Sequence, residues 1–364
     1  MFIRRSLFGR AILAAFALAI APAPVLAATL DAGQILNQFN LVVFGNHHLN
    51  SQVHGRSFVG GNLSGSGSMT TGNYTLPDSD FDDVNVAGSA SDSFKTVAGA
   101  SVAIGGANSA GMSNVGRVRI GGSNSGTIGA TGAPRVEVGG SNSGTINNAG
   151  SVRMGGSNTG TINNTPVETA VPGIPDLALD VAPFRDAMTA KSQALRNLDA
   201  TGSATEHDQG VRFEATPIGG LSSYNIAASD LTGNELDVVL NGADTVVINV
   251  SGTDITLGQN FNSNKALGSN VLWNFFEATD LKLNNRFVGA VLAPNAAFTN
   301  GNNVFGSVVV NSFIQGGQIH QQAWQGTLPS DETPSPVPLP AAAWLLLAGI
   351  GGLGIVARRK RMAA

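Results

Sequence analysis

The side chains best spaced to do chemistry in this chain are hydroxyls. Ser125 and Thr127, Ser143 and Thr145, and Thr159 and Thr161 each stand two residues apart. On a strand, positions i and i+2 point the same way. If the three segments stack, they form two hydroxyl columns on a flat face. Such a grid can order water, as on ice, or hydrogen-bond the hydroxyls of a polysaccharide. The plainer alternative is that Ser and Thr simply suit exposed strand positions. A second constellation is "PDSDFDD", which gathers Asp78, Asp80, Asp82 and Asp83. Alternate acids in a turn can offer oxygen ligands to Ca²⁺, the one cofactor the sequence raises. An EF-hand loop, however, needs Gly at its sixth place and Glu at its twelfth, where this chain has Asp83 and Ser89. A solvated acidic loop is the competing reading. His47 and His48 are adjacent, so on a strand they face opposite sides, and turn histidines fit "GNHHLNSQVHG" better than a metal site. His320 ends a strand beside glycines and reads as structural.

There is no cysteine, hence no thiolate chemistry and no disulfide. Nor is there a G-x-S-x-G elbow, a phosphate-binding loop or an H-E-x-x-H pair. No catalytic residue is assigned, and the chain reads as non-enzymatic. A polysaccharide-cleaving β-helix would need acids or bases converging on one face, and none can be assembled.

The elements that must position the hydroxyls are repeats. "GGSNSGTI" begins at Gly121 and recurs at Gly139. It returns as "GGSNTGTI" at Gly155 and is blurred to "GGANSAGM" at Gly105. Each copy follows a short alternating strand, as in Val118-Arg119-Ile120. Gly-Gly allows a bend, Ser123-Asn124 can hydrogen-bond locally in the turn, and Thr127-Ile128 opens another strand. A two-strand unit cannot bury its apolar side alone, but stacked units can. The spacing therefore predicts a β-solenoid with Val118, Val136 and Val152 in one inward column and Ile128, Ile146 and Ile162 in another. Arg119, Glu137 and Arg153 form an outward column of alternating charge. The first copy offers Val102, Ile104 and Met112. "LVVFGN" at Leu41 and "SFVGGNLSGS" at Ser57 extend the pattern upstream. The two-residue excess between the copies at Gly121 and Gly139 falls in a corner loop, "GATGAPR".

The repeat block covers 102–164, and a Pro-containing connector covers 166–175. Leu177, Val181, Phe184, Met188, Leu195 and Leu198 then recur at helical spacing, interrupted by Lys191. They predict one flanking helix at about 177–199, N-capped by Asp180, lying along the solenoid and covering apolar side chains. Longer, more aromatic strands follow. The expected fold class is mainly β, a solenoid domain over 28–328.

Both ends read as addresses. Residues 1–27 have a basic start, a short apolar run and a small-residue site before Ala28, the pattern of a secretory signal peptide. Residues 329–338 are a Pro-rich linker. An uncharged run from Leu339 to Ala357 is long enough to cross a bilayer, and the segment 339–361 ends in the basic cluster Arg358, Arg359, Lys360 and Arg361. With these four and Arg4, Arg5 and Arg10 set aside, 13 basic residues face 24 acidic ones, a net charge near −11. That excludes a basic nucleic-acid footprint.

Val337-Pro338-Leu339-Pro340-Ala341, the apolar run and the basic cluster together resemble the PEP-CTERM class of sorting signals in its VPLPA form. The resemblance implies an exosortase-type processing enzyme as partner, alongside the secretion machinery and the membrane. It also implies a Gram-negative envelope, surface or extracellular matrix as the setting, often one rich in polysaccharide. An unprocessed single-pass anchor is the alternative. "FNLVVFGN", "FVGGN", "VLWNFFEATDLKL", "GAVLAPNAAF" and "GSVVVNSFIQGGQIH" resemble the choice-of-anchor A family over most of 30–327. That family implies a secreted surface protein and no catalytic activity. The order of repeat, helix and strands is also similar to the ice-binding-like adhesive domain, a β-solenoid flanked by a helix. The expected function is an exported structural or adhesive protein, the alternative a binder of ice or polysaccharide.

Overall fold

Gly-rich repeats with alternating Val and Ile favour strands over helices, and the computed structural model of the protein is built almost wholly from them. It describes residues 30–330 apart from 70–74, 164, 173, 175, 176, 178, 208, 262 and 263. The signal segment and the C-terminal apolar run lie outside the described residues. Among those described there are 28 strands, in sheets of 24 and 4, and two α-helices, α1 (Ala32–Gln38) and α2 (Ala182–Arg196). None of the described helices is long and apolar enough to cross a membrane.

The strands of the large sheet pair in parallel. Val136 lies between Val118 and Val152, and Ile146 between Ile128 and Ile162, so both expected columns form. Val102 and Ile104 continue the first ladder and Met112 the second. The side chains of Val118, Val136, Val152, Ile128 and Ile146 are wholly buried. The upstream strands Leu41–Val43 and Ser57–Val59 join the same ladder. Pairings also close a ring of seven strands: Leu41–Val43, Ser57–Val59, Val84–Val86, Ser93–Ile104, Leu63–Met69, His47–Leu49 and Val308–Gln315. The ring closes because Ser93–Ile104 and Val308–Gln315 are long enough to turn a corner and pair in two ladders. Further strands extend it on both sides.

The order along the ladder is not the order of the chain. Leu41–Val43 lies mid-ladder, between Ser57–Val59 and residues 308–310. From there the chain steps one way through 84–86, 102–104, 118–120 and 136–138 to Ser151–Met154 and Val167–Glu168. It crosses back by way of α2 and resumes at the far end with Leu221–Ala227. It then returns through Thr245–Ser251, Val271–Asn274 and 290–293 to meet its own first strand.

A second apolar core lies outside this ladder. Val42, Phe58, Val309, Leu292, Leu272 and Val247 point outward and are covered by α1, by Phe184, Met188 and Leu195 of α2, and by Trp324. Phe58 stacks on Phe184 at 4.5 Å. Asparagines anchor the helix to the strands beneath: Ser192 Oγ donates to Asn274 Oδ1 (2.6 Å), and Asn249 Nδ2 donates to the Leu195 carbonyl (2.8 Å). The flanking helix is thus present but starts five residues later than its apolar spacing predicts. Val181 takes the N-cap position, and Asp180 instead accepts from the Ala182 N–H (2.9 Å). Lys191, which interrupts the stripe, is buried and donates to the Pro329 carbonyl (2.7 Å). Helix α1 was not expected. Its signal is a capping box, Asp31 with Gln34, closed by reciprocal bonds of 2.8 and 2.9 Å.

Candidate functional site

Each copy of "GGSNSGTI" lies over the previous one, and every position has a distinct task. Gly121 and Gly126 sit so close to the rung below that a Cβ would come within 2.3 Å of the Gly105 oxygen and 2.0 Å of the Ala110 oxygen. Only glycine permits that approach. Ser123 points outward and its Oγ accepts from the Ser141 N–H, as Ser141 Oγ does from Ser157 (both 3.1 Å). Asn46, Asn62 and Ser89 make the same side-chain-to-backbone step further up. Asn124 points inward. Its amide donates to Asn142 Oδ1 (2.7 Å) and to the Gly126 carbonyl (3.2 Å), while its Oδ1 accepts from Asn108 (2.7 Å). Asn142 continues the line to Asn158 (2.8 Å). The local-turn reading of Asn124 is therefore incomplete: its side chain is fully buried and belongs to an interior amide ladder.

The six hydroxyl residues singled out from sequence fall on the outer side of these rungs. Thr127, Thr145 and Thr161 are in direct register. The backbone N–H of Ser143 bonds the Asn124 carbonyl and that of Thr159 the Asn142 carbonyl, which places Ser125, Ser143 and Thr159 in the neighbouring column. Ser125, Thr127, Ser143, Thr159 and Thr161 are exposed and Thr145 is half-buried. Rungs stand ~4.8 Å apart. Sequence reasoning missed the upstream members. The same N–H to carbonyl steps and bridges carry the Ser125 column back through Ser109 and Ser91 to Ser64. Gly111, Ser93 and Ser66 continue the threonine column. The intervals between these rungs are irregular, so no exact repeat marks them in the sequence.

The outward charge column stands in the expected register, Arg119 and Arg153 flanking Glu137. Arg153 reaches Glu137 (3.5 Å) and Glu168 (3.1 Å). Arg119 turns away to Asp82, which Arg117 also grips (2.5 Å). Two carboxylates of the acidic loop are thus already partnered. Asp82 is buried between two guanidinium groups, and Asp83 accepts from Ser101 (2.9 and 3.1 Å). Asp78 and Asp80 remain exposed. Among the described residues, no group of three or more His, Asp or Glu is arranged to hold a metal ion. Burial alone would raise the Asp82 carboxyl; hydrogen bonds from Arg119 and Arg117 more than reverse this and hold it below its ordinary value.

His47 and His48 do diverge. His47 is buried, stacked on Phe313 (5.0 Å) and bonded to Gln315 (3.1 Å), whereas His48 is exposed against Ser64. Burial lowers His47 to about 4 despite the Gln315 bond. His320 stacks on Phe305 (4.4 Å) and meets His54 edge-on. The sorting residues Val337, Pro338, Leu339, Pro340, Ala341, Arg358, Arg359, Lys360 and Arg361 lie outside the described residues.

In-register parallel strands with a hydroxyl-bearing outer face and a helix-covered flank define a repeat-built β scaffold. Residues 32–126 and 111–321 match the family model described as "Putative Ice-binding-like adhesive domain". The chain belongs to that family. No curated protein and no solved structure matches it.

Proposed function

We propose that this is an exported, non-enzymatic adhesive or structural protein whose domain is a β-solenoid displayed at the cell surface or in the extracellular matrix. The observation that carries the reading is the register of the repeat block, where Val lies over Val and Thr over Thr in a chain of an adhesive-domain family. The tail supports attachment or release through a PEP-CTERM-like signal acted on by an exosortase-type enzyme, and the segments that resemble choice-of-anchor A proteins agree with a secreted surface protein. Fractionating cells that express the native chain and a form ending at residue 330 tests this. The native chain should reach the envelope or medium without Trp344, and the shortened form should be released. Native chain confined to the cytoplasm would defeat the reading.

A second reading is favoured by the threonine column: the face binds a polysaccharide, or ice, through stacked hydroxyls. The triple change of Thr127, Thr145 and Thr161 to Val should reduce retention on extracellular polysaccharide, and unchanged retention counts against the sugar. Absence of thermal hysteresis at high protein concentration counts against ice.

A further inference from the structure

The early and late parts of the chain meet along one seam. Leu41–Val43, His47–Leu49 and Gln52–Val53 lie on its early side, Val308–Gln315 and Ile319–His320 on its late side. Across it Leu41 pairs with Val308, His47 with Phe313 and Val53 with Ile319. Of the five histidines, four stand at this seam: His47, His48, His54 and His320. Two of them extend stacks of phenylalanine. Phe298 stacks on Phe313 (4.8 Å), and His47 lies parallel to Phe313 on the next rung (5.0 Å). His320 lies parallel to Phe305 (4.4 Å) and meets His54 edge-on (4.8 Å), while the backbone N–H of His54 donates to the Ile319 carbonyl across the seam (2.9 Å).

These contacts suit neutral rings. The side-chain amide of Gln315 donates to the Gln52 and Gly317 carbonyls (both 2.9 Å), so its Oε1 accepts from His47 Nε2 (3.1 Å). His47 Nδ1 is then the bare nitrogen, buried and without a hydrogen-bond partner. A second proton there would have no acceptor. Charging His320 and His54 together would set like charges edge to face beside Lys265, whose Nζ lies 4.8 Å from the Phe305 ring centre. The other titratable groups bearing on the seam are His48, exposed next to His47, and Asp92, which faces His48. Arg56 is turned to the Gln38 and Pro77 carbonyls. Burial above all holds His47 and His320 at about 4 and keeps His54 below its ordinary value. The repeat block, residues 102–164, contains no histidine. We propose that the seam is an acid-sensitive latch: neutral imidazoles complete the stacks that join the two parts of the chain, and charging them parts the chain there while the repeat block stays stacked. Such an opening is local, a cooperative unit giving way before the whole molecule does.

Hydrogen exchange of the full chain in detergent tests this, each segment's rate being divided by its rate in denaturant at the same pH. From pH 7 to 4.5, residues 41–54 and 308–320 should lose protection roughly tenfold or more relative to residues 118–154. The folded values lie below the ordinary 6.5, so the loss should begin as pH falls through 6.5 and reverse on return to pH 7. His47→Phe combined with His320→Phe keeps a ring in both stacks and removes the charge. Its seam should stay protected at pH 4.5 and exchange like the parent's at pH 7. Should that variant not fold, the parent's ratio of seam to repeat block alone decides. Protection lost over seam and repeat block together, no loss at the seam, or an acid response unchanged in the double variant would overturn the latch.

Discussion

Single residues in this protein matter through what lies one rung away. His47 takes an inward position that Phe313 occupies on the adjoining rung, and its ring is stacked there rather than solvated. Its folded value of about 4 lies below the ordinary 6.5. The unfolded chain therefore binds a proton through a range where the folded one does not. The stability involved is complete above pH 6.5 and is lost as pH falls towards 4, by up to about 3 kcal/mol. Urea midpoints measured from pH 7.5 to 4 should decline over that window, and His47→Phe should flatten the decline. Asp82 has the same sign in a lower window. Its carboxyl is held below the ordinary value, so its contribution is present above the carboxylate range and disappears as pH falls through it. Asp82→Asn should cost about 2–3 kcal/mol at neutral pH, at the low end for a broken buried pair because both arginines are partly exposed. Equal midpoints for D82N and parent at pH 7 would remove that role. The two cases differ in how much the sequence revealed. Neighbouring histidines on a strand must diverge, and that follows from alternation. The arginines that claim Asp82 are 35 and 37 positions away, a distance at which spacing carries no information, so which acid of the cluster is paired was not legible.

At the scale of elements, the repeat rung is a stack of tasks set by side-chain direction. Its register was legible because identical residues recur every 16 or 18 positions, and a one-residue slip would turn every apolar side chain outward. The task of Asn124 was not legible. A turn asparagine and a ladder asparagine have the same neighbours in sequence and differ only in whether another Asn lies above. Asn124→Ala would leave the Asn108 amide and Asn142 Oδ1 without their partner inside the coil. The expected loss is about 2–3 kcal/mol, seen as a lower thermal midpoint, while Ser125→Ala on the outer face should be close to neutral. If both changes cost the same, the amide ladder has no special weight. The helices show the converse limits. The apolar stripe of α2 agrees with the structure in its middle, where Phe184, Met188 and Leu195 all face the outer core. Its start lies later than the spacing predicts because Val181 packs on the outer core from the N-cap position, before the helix begins. Helix α1 is only seven residues long, too short for periodicity to register, although its capping box was present in the sequence.

Over the whole molecule, chain order and stack order part company, and this governs how the protein tolerates change. In a simple solenoid the chain ends are the stack ends, so trimming a terminus removes an outer rung. Here the first strand is held between Ser57–Val59 and residues 308–310. Nothing in its composition could say so, because "LVV" fits any interior rung and the hydrophobic pattern does not name its neighbour. Joining residue 41 to residue 308 also makes the fold depend on a very long loop closure, so folding should be slow and should require both halves of the chain. The two kinds of deletion therefore have opposite expected outcomes. Removing residues 30–43 takes a rung from the middle of the stack together with α1 and should leave an insoluble chain. Removing residues 139–154 takes out one whole coil of the repeat block and joins Val138 to Gly155, where it formerly met Gly139. The grammar "VGG" is kept at the junction, and Asn158 inherits the place of Asn142 over Asn124. Sixteen residues are lost, yet every remaining rung finds a neighbour of the same kind, so the shortened protein should fold with one cooperative melt and a midpoint near the parent's. Circular dichroism melting of the two deletions, beside one of eight residues that cuts a coil in half, checks this. If the sixteen-residue deletion unfolds as readily as the eight-residue one, the coil is not the unit from which the molecule is built.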